Sequence, residues 1–382
     1  MKKELKIVIA PDSFKESLTA LEVANAIEWG FKRVFPDASY VKVPLADGGE
    51  GTVQAMVDAC GGDIIKLAVS GPLGVEVEAF YGLLGDGKTA VIEMAAASGL
   101  HLVPIEKRNP LLTSSFGTGE LILDALNKGA RKIILGLGGR ATNDGGAGMM
   151  TALGARFLTD AGQLIGDGGQ GLAAIAHIDI SQLDTRLADT RFDVASDVDN
   201  PLCGSKGASA IFGPQKGATH EMVKQLDSNL DHYAKQLKVL IGKDVRDIEG
   251  AGAAGGMGAA VLAFLSARLR PGIEIVMETV GLAEKVAGAN LVITGEGRID
   301  SQTIHGKTPV GVARVAKAAG CRVIGIAGSL SDNHAIVYEH GFDAVFSIVP
   351  APMDLQEALR TGAENLTAFS TNLALALAMK LD

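Results

Sequence analysis

The chain has 382 residues, a formal net charge of −9 and 49 glycines. This length exceeds the range of about 250–300 residues at which a single hydrophobic core stops growing, so we expect two domains. The negative charge argues against non-specific nucleic-acid binding, which needs a basic surface. Charged residues make up 21% of the chain, close to the usual share of about 25%, which argues against disorder.

Short runs rich in valine and isoleucine alternate with helical patterns, which is typical of parallel α/β units. The first predicted helix starts with a capping box, Thr19 with Glu22, and Thr308 before Pro309 predicts the cap of the last. The predicted strands are 6–10, 40–43, 132–137, 192–195, 291–294, 322–327 and 344–349. The predicted helices are 21–35, 119–128, 146–153, 221–240, 259–269 and 309–319.

Residues 64–92 depart from this pattern because short apolar and polar residues alternate around two glycine-containing turns. Such alternation predicts antiparallel hairpins, and we place the start of an inserted domain there. The predicted fold class is α/β with two domains. A Rossmann-like parallel-sheet domain is formed by both termini, residues 1–66 and 285–382, and an inserted mixed α/β domain covers residues 67–284.

Targeting and membrane signals are not evident. Lys2 and Lys3 precede only a short apolar run, too short for the core of a signal peptide. The uncharged stretch 251–267 begins with glycine and alanine, which favours a buried helix over a membrane span. The three cysteines lie far apart without metal-type spacing, so we expect reduced thiols and a cytoplasmic protein.

Turns rich in glycine and in polar or charged residues recur at 11–17, 44–52, 138–146, 195–200 and 294–300. Phosphoryl transfer needs carboxylates for Mg²⁺, cations or backbone amides for the phosphate oxygens, and a base for the attacking hydroxyl. Asp197 and Asp199 are two residues apart and would face the same side of an extended chain, where two like charges need a cation or a proton between them. The alternative is a solvated turn that caps a helix.

Other turns offer further candidates, each with a simpler explanation. Asp47 and Glu50 stand among three glycines, more than a capped turn requires. Glu296 lies between two glycines that would let the backbone approach a ligand, and Arg298 follows; a surface turn is the alternative. Gly117 and Thr118 open an apolar helix whose amides could receive an anion, although a plain N-cap explains them equally well. Lys15 is a credible partner for a carboxylate or phosphate, or simply an exposed lysine.

A dinucleotide-binding motif is a competing interpretation of the middle of the chain. Gly136, Gly138 and Ala141 match the form G-x-G-x-x-A, and Asp160 follows about 20 residues later. Thr142-Asn-Asp144 and the glycines after them disfavour it, because that motif opens a continuous helix. Gly306-Lys-Thr308 resembles the end of a phosphate-binding loop, but Ser301 stands where that motif requires glycine. A phosphate contact by Arg298 or Lys307 remains a hypothesis, with a surface turn as the alternative.

An ordered set of motifs spans nearly the whole chain and resembles the type I glycerate kinases. The resemblance implies ATP-dependent phosphorylation of D-glycerate, with 2-phosphoglycerate as the product in the bacterial branch, and a site in the cleft between two α/β domains. That family usually has serine where this chain has Arg140. The serine could contact a phosphate, and the arginine could replace that contact or block the pocket. The motifs are Ala10-Pro-Asp-Ser-Phe-Lys-Glu-Ser17, Pro44-Leu-Ala-Asp-Gly-Gly-Glu-Gly-Thr52, Gly117-Thr-Gly-Glu120, Ala141-Thr-Asn-Asp-Gly-Gly146, Asp197-Val-Asp-Asn-Pro-Leu-Cys203, Phe212-Gly-Pro-Gln-Lys-Gly217 and Gly295-Glu-Gly-Arg-Ile-Asp300.

On this basis we assign candidate roles. Asp47 or Asp197 is the base, with Lys15 as a further catalytic residue, and Asp197, Asp199 and Glu296 are the Mg²⁺ ligands. The predicted substrate and phosphate contacts are Ser13, Arg298, Lys216, Gly117, Thr118, Asn143 and Asp144.

The expected partners are D-glycerate and ATP, without nucleic acid or membrane, and the oligomeric state stays open. Alternatives are transfer to the 3-hydroxyl, a related small hydroxy acid as acceptor, or a non-enzymatic protein that binds a small sugar acid.

Overall fold

The structure is a computed structural model that describes residues 5–379. Its strands are β1 (Lys6–Ile9), β2 (Ser39–Lys42), β3 (Gly62–Ser70), β4 (Glu76–Leu84), β5 (Thr89–Glu93), β6 (Lys132–Gly136), β7 (Arg156–Leu158), β8 (His177–Asp179), β9 (Arg191–Ala195), β10 (Arg268–Arg270), β11 (Leu291–Ile299), β12 (Arg322–Leu330) and β13 (Ala344–Ser347).

Helices follow most of these strands. They are α1 (Ala20–Lys32), α2 (Thr52–Cys60), α3 (Ala95–Ser98), α4 (Phe116–Asn127), α5 (Ala147–Ala152), α6 (Gly168–Gly171), α7 (Ala208–Phe212), α8 (His220–Gln236), α9 (Ala253–Phe264), α10 (Gly272–Thr279), α11 (Leu282–Val286), α12 (Thr308–Ala318), α13 (Leu355–Arg360) and α14 (Gly362–Ala378). No helix within residues 5–379 is both long and apolar enough to cross a membrane.

The residues divide into two compact units. The first contains the described residues up to Asp47, Gln54–Gly61 and those from Ile273 onward, and the second contains Gly48–Val53 and Gly62–Gly272. The predicted fold class is confirmed, since a parallel sheet in the first unit is joined by a mixed sheet in the second. The proposed domain boundaries at 66 and 285 stay a prediction.

The first unit is built on a five-stranded parallel sheet with the order β13-β12-β11-β1-β2. Ile7 of β1 pairs with Leu291 of β11 on one side and with Tyr40 of β2 on the other. The chain therefore runs from β1 to β2 in one direction, and from β11 through β12 to β13 in the other. Such a change of direction opens a crevice at the carboxyl ends of the two strands that flank it. Here those strands are β1 and β11.

Helices α1 and α14 pack closely in the first unit. Gly30 of α1 lies where a Cβ would collide with Ser370 of α14, so the glycine permits the close approach. Leu366, Ser370, Leu373 and Ala374 form the buried stripe of α14. Neither α14 nor α2 was predicted from the sequence. The polar residues of α14 mask its period, and its buried face is defined by α1.

Capping was predicted correctly at one helix and wrongly at another. Thr19 forms the expected capping box with Glu22. Thr308, in contrast, is the first residue of α12, and Lys307 occupies the cap position without a side-chain capping hydrogen bond. The Thr308 hydroxyl donates instead to Asp12 Oδ2 at 2.6 Å. The cap prediction was wrong because a distant carboxylate competes for the hydroxyl.

The second unit contains a six-stranded sheet with the order β10-β9-β6-β5-β4-β3. Strands β3, β4 and β5 pair antiparallel, which confirms the predicted hairpins, and the other neighbours pair parallel. Strands β7 and β8 form a separate two-stranded sheet. Buried aromatic residues, including Tyr81, Phe157 and Tyr233, lie in the core of this unit.

The predicted helix at 259–269 was wrong at its C-terminal end. Helix α9 (Ala253–Phe264) is interrupted by left-handed backbone at Ala254, Gly255 and Gly256, so regular helix starts close to the predicted position, but it ends at Phe264. Arg268–Arg270 forms β10, which pairs with Asp193–Ala195 of β9. The apolar composition of this stretch allows either structure locally, and a long-range strand pairing decides its end.

Candidate active site

A cavity of about 450 Å³ lies within the first unit at the carboxyl ends of its strands. Segments that follow β1 and β13, the last part of β11, and Gly328 and Ser329 of β12 line it. The cavity thus occupies the crevice that the strand order predicts.

Asp12 is a half-buried carboxylate of this cavity, close to the end of β1. Its Oδ1 accepts a hydrogen bond from the Ser13 amide at 2.6 Å, and its Oδ2 accepts one from Thr308. Burial raises the pKa of Asp12, and the nearby Asp47 raises it further, against the lowering effect of the Thr308 hydrogen bond. Asp12 was assigned no role from the sequence, although it stands at a strand end where such residues are expected.

Glu296 is a second carboxylate of the cavity, and it is buried. It lies within β11, opposite Ala327 of β12, whereas the strand predicted from the sequence ended at 294. Its Oε1 accepts from Thr303 at 2.6 Å and its Oε2 from Lys307 at 3.3 Å. Burial raises its pKa and Asp12 also contributes, while Thr303 and Lys307 act in the opposite direction.

Cationic side chains line the same cavity. Lys15 and Arg298 are exposed, and Arg298 Nε lies 3.6 Å from Asp300. Lys307 is partly buried beside Glu296. The first unit therefore brings together five predicted site residues and Lys307, the alternative phosphate contact to Arg298, and adds Asp12 to them. The five are Ser13, Lys15, Asp47, Glu296 and Arg298.

The side of the cavity nearest β13 is apolar. Ile348 and Val349 follow β13, and Leu355 and Leu359 come from α13. Ser17 Oγ donates to the Leu359 carbonyl at 2.6 Å, which ties the turn after β1 to α13. The cavity thus has a charged end and an apolar end.

Asp197 and Asp199 belong to the second unit and follow β9. Both are exposed, and Asp197 Oδ1 accepts a hydrogen bond from the Gly272 amide at 3.2 Å. Among residues 5–379 there is no group of three or more histidine, cysteine, aspartate or glutamate residues placed to hold a metal. Their assignment as metal ligands with Glu296 stays a prediction.

Asn143, Asp144 and Lys216 come together in the second unit, but all three are buried. Lys216 Nζ donates to the Thr142 carbonyl at 2.7 Å, and burial lowers its pKa well below the usual value, with Arg140 acting in the same direction. Asp144 accepts from the amide and the hydroxyl of Ser115 at 2.8 and 2.7 Å, and burial raises its pKa. These contacts show that the three residues belong to a buried polar core. Their assignment as substrate or phosphate contacts stays a prediction.

Arg140 packs beside this core. Its guanidinium carbon lies 4.7 Å from the centre of the Phe212 ring, and its Nη1 donates to Leu137 at 3.2 Å. Its Nε and Nη2 are buried and have no hydrogen-bond partner among the described residues. Burial lowers its pKa.

Gly117 and Thr118 are also buried. A Cβ on Gly117 would collide with the Ser70 carbonyl, and the Thr118 hydroxyl lies 2.8 Å from that of Ser98. Ser115, at the cap position of α4, makes no capping hydrogen bond because its hydroxyl donates to Asp144. Packing therefore explains the small residues at this helix start.

A smaller cavity of about 250 Å³ in the second unit is lined by Gly136, Gly138 and Glu93. Glu93 Oε1 accepts from the Val53 amide at 2.8 Å, and burial raises its pKa. After Gly136 the chain runs through a loop, and the six-residue α5 begins only at Ala147. The dinucleotide-binding interpretation is not supported, because that motif opens directly into a helix.

A parallel sheet with carboxylates and cations gathered at its switch point defines an α/β enzyme of the kind that handles phosphorylated ligands. Comparison with known proteins identifies its family. A profile of the glycerate kinase family matches residues 7–378. The chain belongs to the glycerate kinase family, and is therefore an enzyme, a kinase; the non-enzymatic alternative is rejected.

Individual relatives agree with this assignment. The chain is 59% identical to the glycerate kinase of Bacillus subtilis (strain 168) over 370 residues, 97% of each protein. It is 59% identical to the glycerate 2-kinase of Escherichia coli (strain K12) over 375 residues, 98% of each. A crystal structure of a proposed glycerate kinase 2 from Salmonella typhimurium LT2 matches with a TM-score of 0.92 at 57% identity, covering 98% of each chain.

Proposed function

We propose that the protein transfers the terminal phosphoryl group of ATP to the 2-hydroxyl of D-glycerate, giving 2-phosphoglycerate and ADP. The family supports the acceptor, and the E. coli relative is named a 2-kinase. The observation that carries the proposal is the charged end of the 450 Å³ cavity, where Asp12 and Glu296 stand beside Lys307. Phosphoryl transfer depends chiefly on such positioned charges.

The carboxylates of the cavity suit Mg²⁺ that arrives with the nucleotide. Protein magnesium sites in kinases commonly use one or two carboxylates, with phosphate oxygens and water completing the shell. Asp12 and Glu296 fit this requirement. Burial raises the pKa of both carboxyl groups, the charge of Asp47 raises that of Asp12, and the charge of Asp12 raises that of Glu296. A nearby cation would favour the ionised forms. When bound, Mg²⁺ would neutralise negative charge on the phosphates. Asp197 and Asp199 remain proposed further ligands.

We assign the general base to Asp47, with Asp197 as the alternative. Asp47 lines the cavity beside Asp12, so it is placed to accept the proton of an acceptor hydroxyl held there. Lys15 and Arg298 are the proposed contacts for the phosphoryl group or the glycerate carboxylate, for which the arginine offers a bidentate grip. Ser13 adds a hydroxyl and an amide at the same strand end.

A coupled assay tests both the reaction and the position of transfer. The protein is incubated with Mg-ATP and D-glycerate, and enolase is added, because enolase consumes 2-phosphoglycerate directly. We expect immediate formation of phosphoenolpyruvate, and a loss of about 10²–10⁴-fold in kcat for Asp47→Asn.

If phosphoenolpyruvate forms only after phosphoglycerate mutase is added, transfer is to the 3-hydroxyl. If no phosphoglycerate forms at all, the proposed function is wrong. Full turnover by Asp47→Asn, together with a collapse in Asp197→Asn, would move the base to Asp197.

A further inference from the structure

The cavity of the first unit is larger than a three-carbon acid requires. Its volume of about 450 Å³ falls in the range of about 300–1,000 Å³ found for sites that bind drug-sized ligands. It extends from β1 across β11 and β12 to β13, three strand spacings or about 14 Å at about 4.8 Å each. A ligand that fills it must be long and must carry both charge and apolar surface.

The two ends of the cavity differ in chemistry. The carboxylates and cations lie at the end formed by β1, β11 and the start of α12. The other end is formed by Ile348, Val349, Leu355 and Leu359. Cations suited to phosphate groups and apolar side chains thus line different parts of one cavity.

The apolar end leaves hydrophobic surface open. Leu355 is 69% exposed and Val349 is 36% exposed, and both line the cavity. Burial of such surface against a flat ring would be favourable. Ser17 joins the turn after β1 to the Leu359 carbonyl, so the apolar end is tied to the charged end in one binding surface.

We propose that the apolar wall formed by Ile348, Val349, Leu355 and Leu359 binds the nucleoside of the phosphate donor, with the phosphates directed toward Lys307 and Lys15. This inference rests on the proposed kinase function and adds which residues bind the nucleoside of the donor. A donor without a nucleoside, such as inorganic tripolyphosphate, engages only the charged end. The wall therefore makes the enzyme select a nucleotide donor.

Calorimetric titration with Mg-ADP, in the absence of any acceptor, tests the wall. Leu355→Asn removes apolar surface without adding a charge that would repel phosphates, and at 69% exposure the site tolerates a polar residue. The matched control is Leu375→Asn, which changes a leucine 52% exposed on α14 that does not line the cavity. Val349→Asn serves as a second variant.

We expect Leu355→Asn to weaken Mg-ADP binding by at least about tenfold, and Leu375→Asn to leave it unchanged. Binding of magnesium tripolyphosphate should be the same in all of these proteins. The inference is overturned if both Leu355→Asn and Val349→Asn bind Mg-ADP within twofold of the wild type. It is also overturned if tripolyphosphate binding weakens as much as that of Mg-ADP. Because no acceptor is present, either result stands even if the glycerate assay fails.

Discussion

The hydrogen bonds of Asp12 and its surroundings have opposite effects on the ionisation of its carboxyl group. The Ser13 amide and the Thr308 hydroxyl stabilise its ionised form, whereas burial and Asp47 oppose it, and the net effect raises its pKa. A carboxyl group with a raised pKa in the folded protein contributes stability below its unfolded pKa, and this contribution is lost as the pH rises through the folded value. Near neutral pH, ionised Asp12 therefore destabilises the fold.

Asp12→Asn should raise the melting temperature near neutral pH. An asparagine can keep both hydrogen bonds, since its oxygen accepts from Ser13 and its amide group donates to the Thr308 hydroxyl. The gain should shrink as the pH falls toward 3.8, the ordinary pKa of aspartate, because the wild-type carboxyl is then protonated as well. The same variant should raise KM for Mg-ATP by about 10–100-fold.

Thermal melts over a pH series, together with steady-state kinetics, measure both effects. Asp37→Asn is the control, because it removes an equal charge from an exposed position. A melting temperature of Asp12→Asn that stays below that of the wild type across the whole pH series would contradict this account of Asp12.

Burial changes the role that can be inferred for Lys216. A lysine in a glycine-rich motif suggested a phosphate contact, yet its side chain is 1% exposed and donates to Thr142. Its low pKa follows from burial beside Arg140. Whether it faces a ligand or the core depends on contacts more than 70 residues away along the chain.

At the scale of a single element, β11 carries two glycines with different tasks. A Cβ on Gly295 would collide with the Ile326 carbonyl of β12, so this glycine is needed for strand pairing. A Cβ on Gly297 would have its nearest neighbours, Lys15 N and Phe14 Cα, at 3.6 Å, which is ordinary contact. Gly297 also lines the cavity, so its open flank faces ligand space.

These two glycines predict opposite outcomes for the same substitution. Gly295→Ala should destabilise the protein by about 1–3 kcal/mol through overpacking, measured by urea unfolding. Gly297→Ala should change the stability by less than about 0.5 kcal/mol and should instead weaken Mg-ADP binding, because the added methyl group takes up cavity space. Each variant is the control for the other, and equal losses of stability would refute the distinction.

At the scale of the whole molecule, the net negative charge of the protein disfavours binding of the proposed substrates. The protein carries a formal net charge of −9, and Mg-ATP and glycerate are also anionic. Local cations in a cavity can still bind an anion against the overall field, and Lys15, Arg298 and Lys307 are gathered in one cavity. Magnesium reduces the remaining repulsion between the phosphates and the cavity carboxylates.

Mg-ADP should therefore stabilise the folded protein, and the effect should depend on the metal. At a ligand concentration of about 100 times Kd, linkage gives about 2.7 kcal/mol of stabilisation, and thermal melts should register it as a shift of several degrees. ADP with a chelator should give a much smaller shift. Equal shifts with and without magnesium would show that ADP binding does not require the metal.

The local signals in the sequence were sufficient for the fold class, the hairpins at 64–92 and the family. Buried strands, capping boxes and motifs of consecutive residues each depend on a short segment of the sequence, so they can be recognised without coordinates. The prediction that the site lies between two domains remains to be tested.

Only the tertiary structure decided where each side chain ended up. It placed Thr308 on Asp12, extended β11 through Glu296, buried Lys216 and turned Arg268–Arg270 into a strand. It also formed an apolar wall from α13 and the segment after β13, which no sequence motif predicted. Each of these outcomes depends on groups far apart in the chain, and a contact of that kind has no signature in the order of neighbouring residues.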